Sequence, residues 1–240
     1  MATTDGIYVG GELVVEGDTT GPLSAQTVLS DPSVEGAVLE TARGGIVRGG
    51  LGYDWSDISV ISNVRLDHVG QDGIETLDDL LYIKALVAER VRKGGTLILN
   101  ADDERLAQLA DDEFVARPEK NIVYFSMRPP HVLIRRRLGA ARSAYLYKDG
   151  WLVESVGGVE TRVVCASDIP VTLGGAASFN IANALAALAV CRAQGLSREE
   201  VAAALKGFRG DLHNAGRAVL FEIRGGYALL DYGHNPDAFA

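Results

Sequence analysis

This 240-residue chain has only two cysteines and five lysines, and each shortage excludes something. Cys165 and Cys191 are too few for a disulfide framework and lack metal-ligand spacing, so they point to a reducing, cytoplasmic setting. None of the lysines, at positions 84, 93, 120, 148 and 206, follows a glycine. The chain therefore holds no G-x-x-x-x-G-K-[ST] phosphate loop, and a nucleotide bound here would lack its usual cradle. Basic charge is also short, with 23 Lys plus Arg against 32 Asp plus Glu and a formal net charge of −9. That balance disfavours nucleic acid and an anionic membrane surface as partners. The longest run of small apolar residues, 184–191, falls far short of the roughly 20 residues of a membrane span, and residues 1–5 carry no basic and apolar signal regions.

Apolar residues make up 47% of the chain, which excludes a disordered polypeptide. At roughly 150 residues per domain, the length fits one large domain or two small ones. Three short apolar runs have the character of strands buried on both faces of a parallel sheet, and each leads into polar residues. They are residues 36–39 into Glu40, 58–61 into Asn63 and Asp67-His68, and 227–230 into Asp231. Residues 96–99 and 122–125 add two more. The clearest helix is predicted over 76–92, opened by the capping box Thr76-x-x-Asp79 and stopped near Gly94-Gly95. A second spans about 180–194, and Ser197-x-x-Glu200 opens a third. Alternating runs at 144–147, 151–155 and 159–164, separated by Lys148-Asp149-Gly150 and Gly157-Gly158, predict a small antiparallel meander within an excursion at about 135–173. Gly10-Gly11 and Gly225-Gly226 read as hairpin turns. The whole predicts an α/β fold, a mostly parallel sheet flanked by helices.

In open α/β sheets ligands collect beyond the carboxyl ends of the strands, where Glu40, His68 and Asp231 fall. A lone strand-terminal carboxylate is ordinarily a helix cap or a solvated loop residue, and the agreement of three favours a site. Lys84 sits among Leu77, Leu80, Leu81, Val87, Ala88 and Val91, inside an apolar helical stripe. Two readings stay open for it. Either its stem covers apolar surface while the ammonium reaches water, or a partly desolvated amine of lowered pKa is open to chemistry or covalent modification. After Glu40, the glycine-rich stretch 41–50 permits close backbone approach, and Arg43 and Arg48 suit a carboxylate or phosphate. Arg217 before one strand and Asp231 after the next suit a triphosphate and a ribose, although turn residues of this kind need no ligand.

Six segments occur in order: Glu40-Thr-Ala-Arg-Gly-Gly-Ile-Val-Arg48, Asn63-Val-x-x-Asp67-His68, Leu99-Asn-Ala-Asp-Asp103, Asp168-Ile-Pro-x-Thr-Leu-Gly-Gly-Ala176, Phe179-Asn-x-x-Asn183-Ala-Leu-Ala-Ala187 and Asp231-Tyr-x-His-Asn-Pro236. Together they closely resemble the Mur ligase-like half of cyanophycin synthetases and, more widely, the ATP-dependent Mur ligases and folylpolyglutamate synthases. The resemblance implies a middle, ATP-binding domain over 1–232, with 233–240 the start of a truncated C-terminal domain. It implies a reaction in which ATP phosphorylates a carboxylate and an amine attacks the acyl phosphate, giving an amide, ADP and phosphate. In the cyanophycin branch, arginine is joined to the aspartate side-chain carboxylate of an acidic, polyaspartate-like acceptor.

Carried over residue by residue, the resemblance makes Glu40 and His68 ligands of Mg2+, of which two ions are expected. Lys84 matches a lysine that many Mur ligases carbamylate to help hold the second ion, and Lys84 and Arg217 become the catalytic pair. Asn180, Asn183, Arg217, Asp231 and His234 would face the nucleotide, and Thr20, Arg43 and Arg48 the acceptor. Relatives carry a phosphate loop before Thr3-Thr4-Asp5-Gly6 and a further domain after Pro236. The expectation is thus a fragment with little activity alone, self-associating through an exposed sheet edge. Two alternatives remain: a non-catalytic nucleotide- or partner-binding protein, and the middle domain of another Mur ligase or folylpolyglutamate synthase.

Overall fold

The computed structural model describes residues 1–65, 70, 73–128, 143–213 and 216–233. The chain divides into two compact units, one of Met1–Gly95 with Leu109–Lys120, the other of Thr96–Gln108 with the chain from Asn121 onward. In the first unit, β1 (Gly6–Val9) and β2 (Glu12–Glu16) form the hairpin expected at Gly10-Gly11. The helices α1 (Pro22–Ser30) and α2 (Arg43–Gly49) follow, then β3 (Ser56–Ile61) and α3 (Leu77–Glu89). A small core of Ala2, Ile7 and Val28 lies beneath the hairpin, with Val9, Val34 and Leu39 against it. At the start of α3 the capping box is complete: Thr76 Oγ1 accepts from Asp79 N, and Asp79 Oδ2 accepts from Thr76 N at 2.9 Å.

The strand β4 (Val91–Asn100) runs from one unit into the other. In the second unit it is followed by α4 (Glu104–Leu109), which ends at the unit boundary, while α5 (Glu113–Ala116) belongs to the first. Next come β5 (Asn121–Ser126), β6 (Ser143–Lys148), β7 (Trp151–Val156) and β8 (Val159–Cys165). One sheet has the strand order β3-β4-β5-β6-β7-β8. The pairs β4·β5 and β5·β6 are parallel, and β6·β7 and β7·β8 antiparallel. The predicted meander therefore exists, and it extends the parallel sheet through β6. Helix α6 (Ser178–Ala193) packs on β5 and β6, and α7 (Arg198–Gly207), opened by the Ser197 capping box, packs on α6 and β8. Leu97, Ile98, Leu99, Leu152, Leu185 and Leu188 are fully buried in this core. A short α8 (Gly210–His213) leads to the hairpin β9 (Val219–Ile223) and β10 (Gly226–Leu230).

One charged cluster sits inside the second unit. Glu154 of β7 is 2% exposed, and its Oε1 accepts from Arg192 Nε at 2.7 Å and from Tyr145 Oη at 3.1 Å. Its Oε2 accepts from Arg198 Nε. Burial acts to raise the carboxyl pKa and is outweighed by the hydrogen bonds from Arg192 and Arg198, so it lies below the usual glutamate value. Burial and the adjoining Glu154 charge push the Tyr145 phenol far up. Among the described residues no buried side-chain nitrogen or oxygen lacks a partner, and no helix is long and apolar enough to cross a membrane.

Three expectations need correction. Residues 36–39 form no strand: their backbone meets Ala2, whose N donates to Val38 O and whose O accepts from Glu40 N, and one partner residue makes a bridge without a ladder. Val38, expected to be buried, is 69% exposed. The helix from 77 stops at Glu89, because residues 91–95 continue as β4, with Gly94 N bonded to Glu119 O. Residues 227–230 belong to an exposed antiparallel hairpin instead of the buried parallel sheet, since β10 pairs with β9 in a sheet of two.

Candidate functional site

Glu40 leaves the bridged segment with its backbone N bonded to Ala2 O at 2.9 Å. Its carboxylate is exposed and gripped from one residue: Thr4 N donates to Oε2 and Thr4 Oγ1 to Oε1, both at 2.9 Å. An ionised carboxylate offers about four acceptor positions, so these two bonds leave capacity for a further partner. Lys84 projects from α3 and its Nζ donates to Asn63 O at 3.1 Å, just beyond the carboxyl end of β3. The amine is thus anchored at a strand end, half-buried. As an ammonium it is a cation and a donor with no lone pair, so in that form it is not a metal ligand. His68 and Asp67 lie outside the described residues.

The glycine-rich stretch has a packing reason. A Cβ on Gly45 would come within 2.9 Å of Thr20 O and 3.0 Å of the Gly21 Cα, so α2 approaches the 20–21 turn only with glycine there. Arg48 folds back over Gly44, where a Cβ would meet its Nη2 at 2.9 Å. Arg43 is half-buried in the first turn of α2. Thr20 is 8% exposed, and both its N and its Oγ1 donate to Asp18 Oδ1, at 3.2 and 2.7 Å. Its hydroxyl hydrogen is committed to Asp18, so its oxygen can accept but not donate a further hydrogen bond. Asp18 and Thr4 escaped the sequence reading. The signal that could have found Thr4 is the hydroxyl-rich Thr3-Thr4-Asp5-Gly6 turn.

In the second unit Asn180 is 7% exposed, and its Nδ2 donates to Val171 O at 2.6 Å, tying α6 to the preceding turn. Asn183, one turn on and exposed, reaches Asn180 Oδ1 at a long 3.5 Å. Arg217 and Asp231 are brought together at the open end of the last hairpin. The Arg217 guanidinium lies 4.6 Å from the Tyr232 ring centroid, a cation–π distance, and Asp231 Oδ1 accepts from Ala218 N at 2.9 Å. His234 lies outside the described residues.

Whether these residues fit magnesium turns on Glu40. An exposed, pre-oriented carboxylate is the hard oxygen donor that Mg2+ takes, and the ion is commonly held by one or two carboxylates with phosphate oxygens and water. Among the described residues no group of three His, Cys, Asp or Glu is gathered for a metal, and His68 lies outside them.

Residues 6–191 match the model of the Mur ligase middle domain. The cyanophycin synthetase of Trichormus variabilis is 44% identical over 238 residues, 99% of this chain and 26% of that protein. That of Crocosphaera subtropica is 39% identical over 99% of this chain and 27% of its own length. The chain thus spans about a quarter of the length of the curated relatives it matches. A crystal structure of MurF from Acinetobacter baumannii overlays with a TM-score of 0.50 at 18% identity, covering 76% of this chain and 35% of that one, a likeness of fold alone. With most of its length matched by the family model, the chain belongs to the Mur ligase middle-domain family.

Proposed function

We propose that residues 1–232 form the ATP-handling domain of an amide ligase of the cyanophycin-synthetase type, which activates a carboxylate as its acyl phosphate and passes it to an amine. The observation that carries this reading is identity of 44% with a cyanophycin synthetase across 99% of the chain. The acceptor would be the aspartate side-chain carboxylate of a polyaspartate-like chain, and the amine would come from arginine.

In this reading Glu40, with His68 and a carbamylated Lys84, holds Mg2+, which when bound offsets the charge of the triphosphate. Arg217 brings a planar cation to the terminal phosphate, steadied by the Tyr232 ring. Asn183, Asp231 and His234 meet the nucleoside. Asn180 acts by holding α6 in place through Val171. Arg43 and Arg48 attract the acidic acceptor beside Thr20, and the reading suits an acceptor whose charge opposes theirs. Orientation and charge dispersal are what such a site contributes to phosphoryl transfer.

The test is ADP release and arginine incorporation on a polyaspartate primer, measured with this chain and with the chain joined to the flanking segments of its relatives. Primer- and arginine-dependent turnover in the joined protein is the expected result, with little in the chain alone. No turnover in either rejects the ligase reading. The second reading is a non-catalytic domain that binds a nucleotide or a partner. Tight Mg-ATP binding by the chain alone, seen by calorimetry, would support it.

A further inference from the structure

The structure points to a residue outside the family motifs as the one that aims Glu40. We propose that Thr4 is a positioning residue, its backbone N–H and hydroxyl holding the two oxygens of Glu40 so that the carboxylate meets a hard divalent cation in one fixed orientation. The inference rests on the reading of Glu40 as a cation ligand and deepens it.

A glutamate has three side-chain torsions, and an exposed one spreads over many rotamers that a metal must freeze out. Here the freezing is already done. Thr4 N reaches Oε2 and Thr4 Oγ1 reaches Oε1, each at 2.9 Å, which fixes the plane of the carboxylate as well as its place. The other end of the residue is fixed by the same segment, through Glu40 N to Ala2 O at 2.9 Å. Thr4 is itself set in a rigid frame. Thr3 N donates to Gly6 O at 3.0 Å, Asp5 N to Thr3 Oγ1 at 3.2 Å, and Gly17 N to Asp5 O at 3.1 Å. Thr19 closes the frame, its N and Oγ1 both donating to Thr3 O, at 3.1 and 2.7 Å. The turn cannot open by a side chain at Gly6, where a Cβ would lie 2.3 Å from Val15 O. Both donors on Glu40 come from a neutral residue, so they orient the carboxylate without cancelling its charge. That combination suits a ligand awaiting a cation better than an arginine clamp would.

The experiment is a titration of the chain with Mn2+ in the presence of ADP, with free Mn2+ read by electron paramagnetic resonance and folding followed by the urea midpoint. Thr4→Val keeps the shape and the backbone N–H but removes the hydroxyl, and Thr4→Ser restores it. The expected result is Mn2+ binding about tenfold weaker in Thr4→Val, the low end of what partners of metal ligands cost. Its urea midpoint stays at the wild-type value, and Thr4→Ser returns to wild-type affinity. Unchanged binding in Thr4→Val, while Glu40→Gln abolishes binding, overturns the inference and leaves the ligase reading standing. Failure of Thr4→Ser to restore binding, or a fall in stability that parallels the fall in affinity, also overturns it, since Thr4 would then act through shape alone. If Glu40→Gln binds Mn2+ like the wild type, or the wild type binds none, the cation-ligand reading of Glu40 falls and takes the inference with it.

Discussion

Two glutamates, one in each unit, are held at both oxygens and serve opposite ends. Glu154 is sealed in the core of the second unit, with Arg192 and Tyr145 on one oxygen and Arg198 on the other. Glu40 stands exposed in the first unit, gripped by the neutral Thr4. Charged partners complete the electrostatics of Glu154 and make it part of the scaffold. Neutral partners orient Glu40 and leave its charge to act on something else. Glu154 has three donors to the two on Glu40, but the difference that matters is their charge.

The largest expected effect comes from breaking the sealed member. Glu154→Gln leaves two guanidinium groups facing a neutral amide in a site that is 2% exposed on the carboxylate side, and should cost about 3–5 kcal/mol in urea unfolding. A loss below about 1 kcal/mol would mean that the arginines find water instead, in keeping with surface pairs. Acid should unmake the same cluster. The Glu154 pKa is depressed in the folded chain, so its stabilisation is fully present above the unfolded value of about 4.3 and is lost as pH falls through the lower, folded value. Urea midpoints followed downward from pH 6 should therefore fall more steeply below about pH 4.3 in the wild type than in Glu154→Gln. Parallel curves would show that Glu154 contributes no such linkage.

A smaller effect sharpens the comparison, because the same local motif occurs once in each unit. Thr76→Ala and Ser197→Ala each remove the hydroxyl of a complete capping box, and each should cost about 1 kcal/mol. Urea unfolding followed by circular dichroism of the two variants reads this directly. Equal costs would show that the units do not differ in how they value local helix starts, so that any contrast at Glu40 and Glu154 belongs to those sites.

Both capping boxes were legible in the sequence because all their atoms lie within four residues. The hairpins at Gly10-Gly11 and Gly225-Gly226 were legible for the same reason. Lys84 was found by helical periodicity, which places a side chain on a face without saying what it touches; its bond to Asn63 O had to be seen. The apolar run 36–39 read as a buried strand because composition cannot count the partners a strand will find, and here it found Ala2. The glycine-rich stretch 41–50 predicts a close backbone approach, and at Gly45 the segment approached is the 20–21 turn, which the sequence alone does not name. What the sequence hid most completely is long-range pairing. Arg192 and Arg198 lie 38 and 44 residues from Glu154, and Thr4 lies 36 from Glu40. No spacing rule connects residues so far apart, since only the folded backbone decides that they meet.

The smallest expected effect on stability is at Glu40 itself, and it is the sharpest test of the contrast. Glu40→Gln keeps the length of the side chain and one carbonyl acceptor for Thr4, while the amide nitrogen can no longer accept the other bond. The side chain is exposed, so a donor released by the substitution turns to water rather than remaining buried and unsatisfied. The change in unfolding free energy should therefore stay within about 0.5 kcal/mol, the range of ordinary surface substitutions. A loss of several kcal/mol in urea would place Glu40 with Glu154 as a member of the scaffold. The neutral grip of Thr4 would then be a fastening of two chain segments, and the exposed carboxylate would have no claim to be held in reserve for a cation.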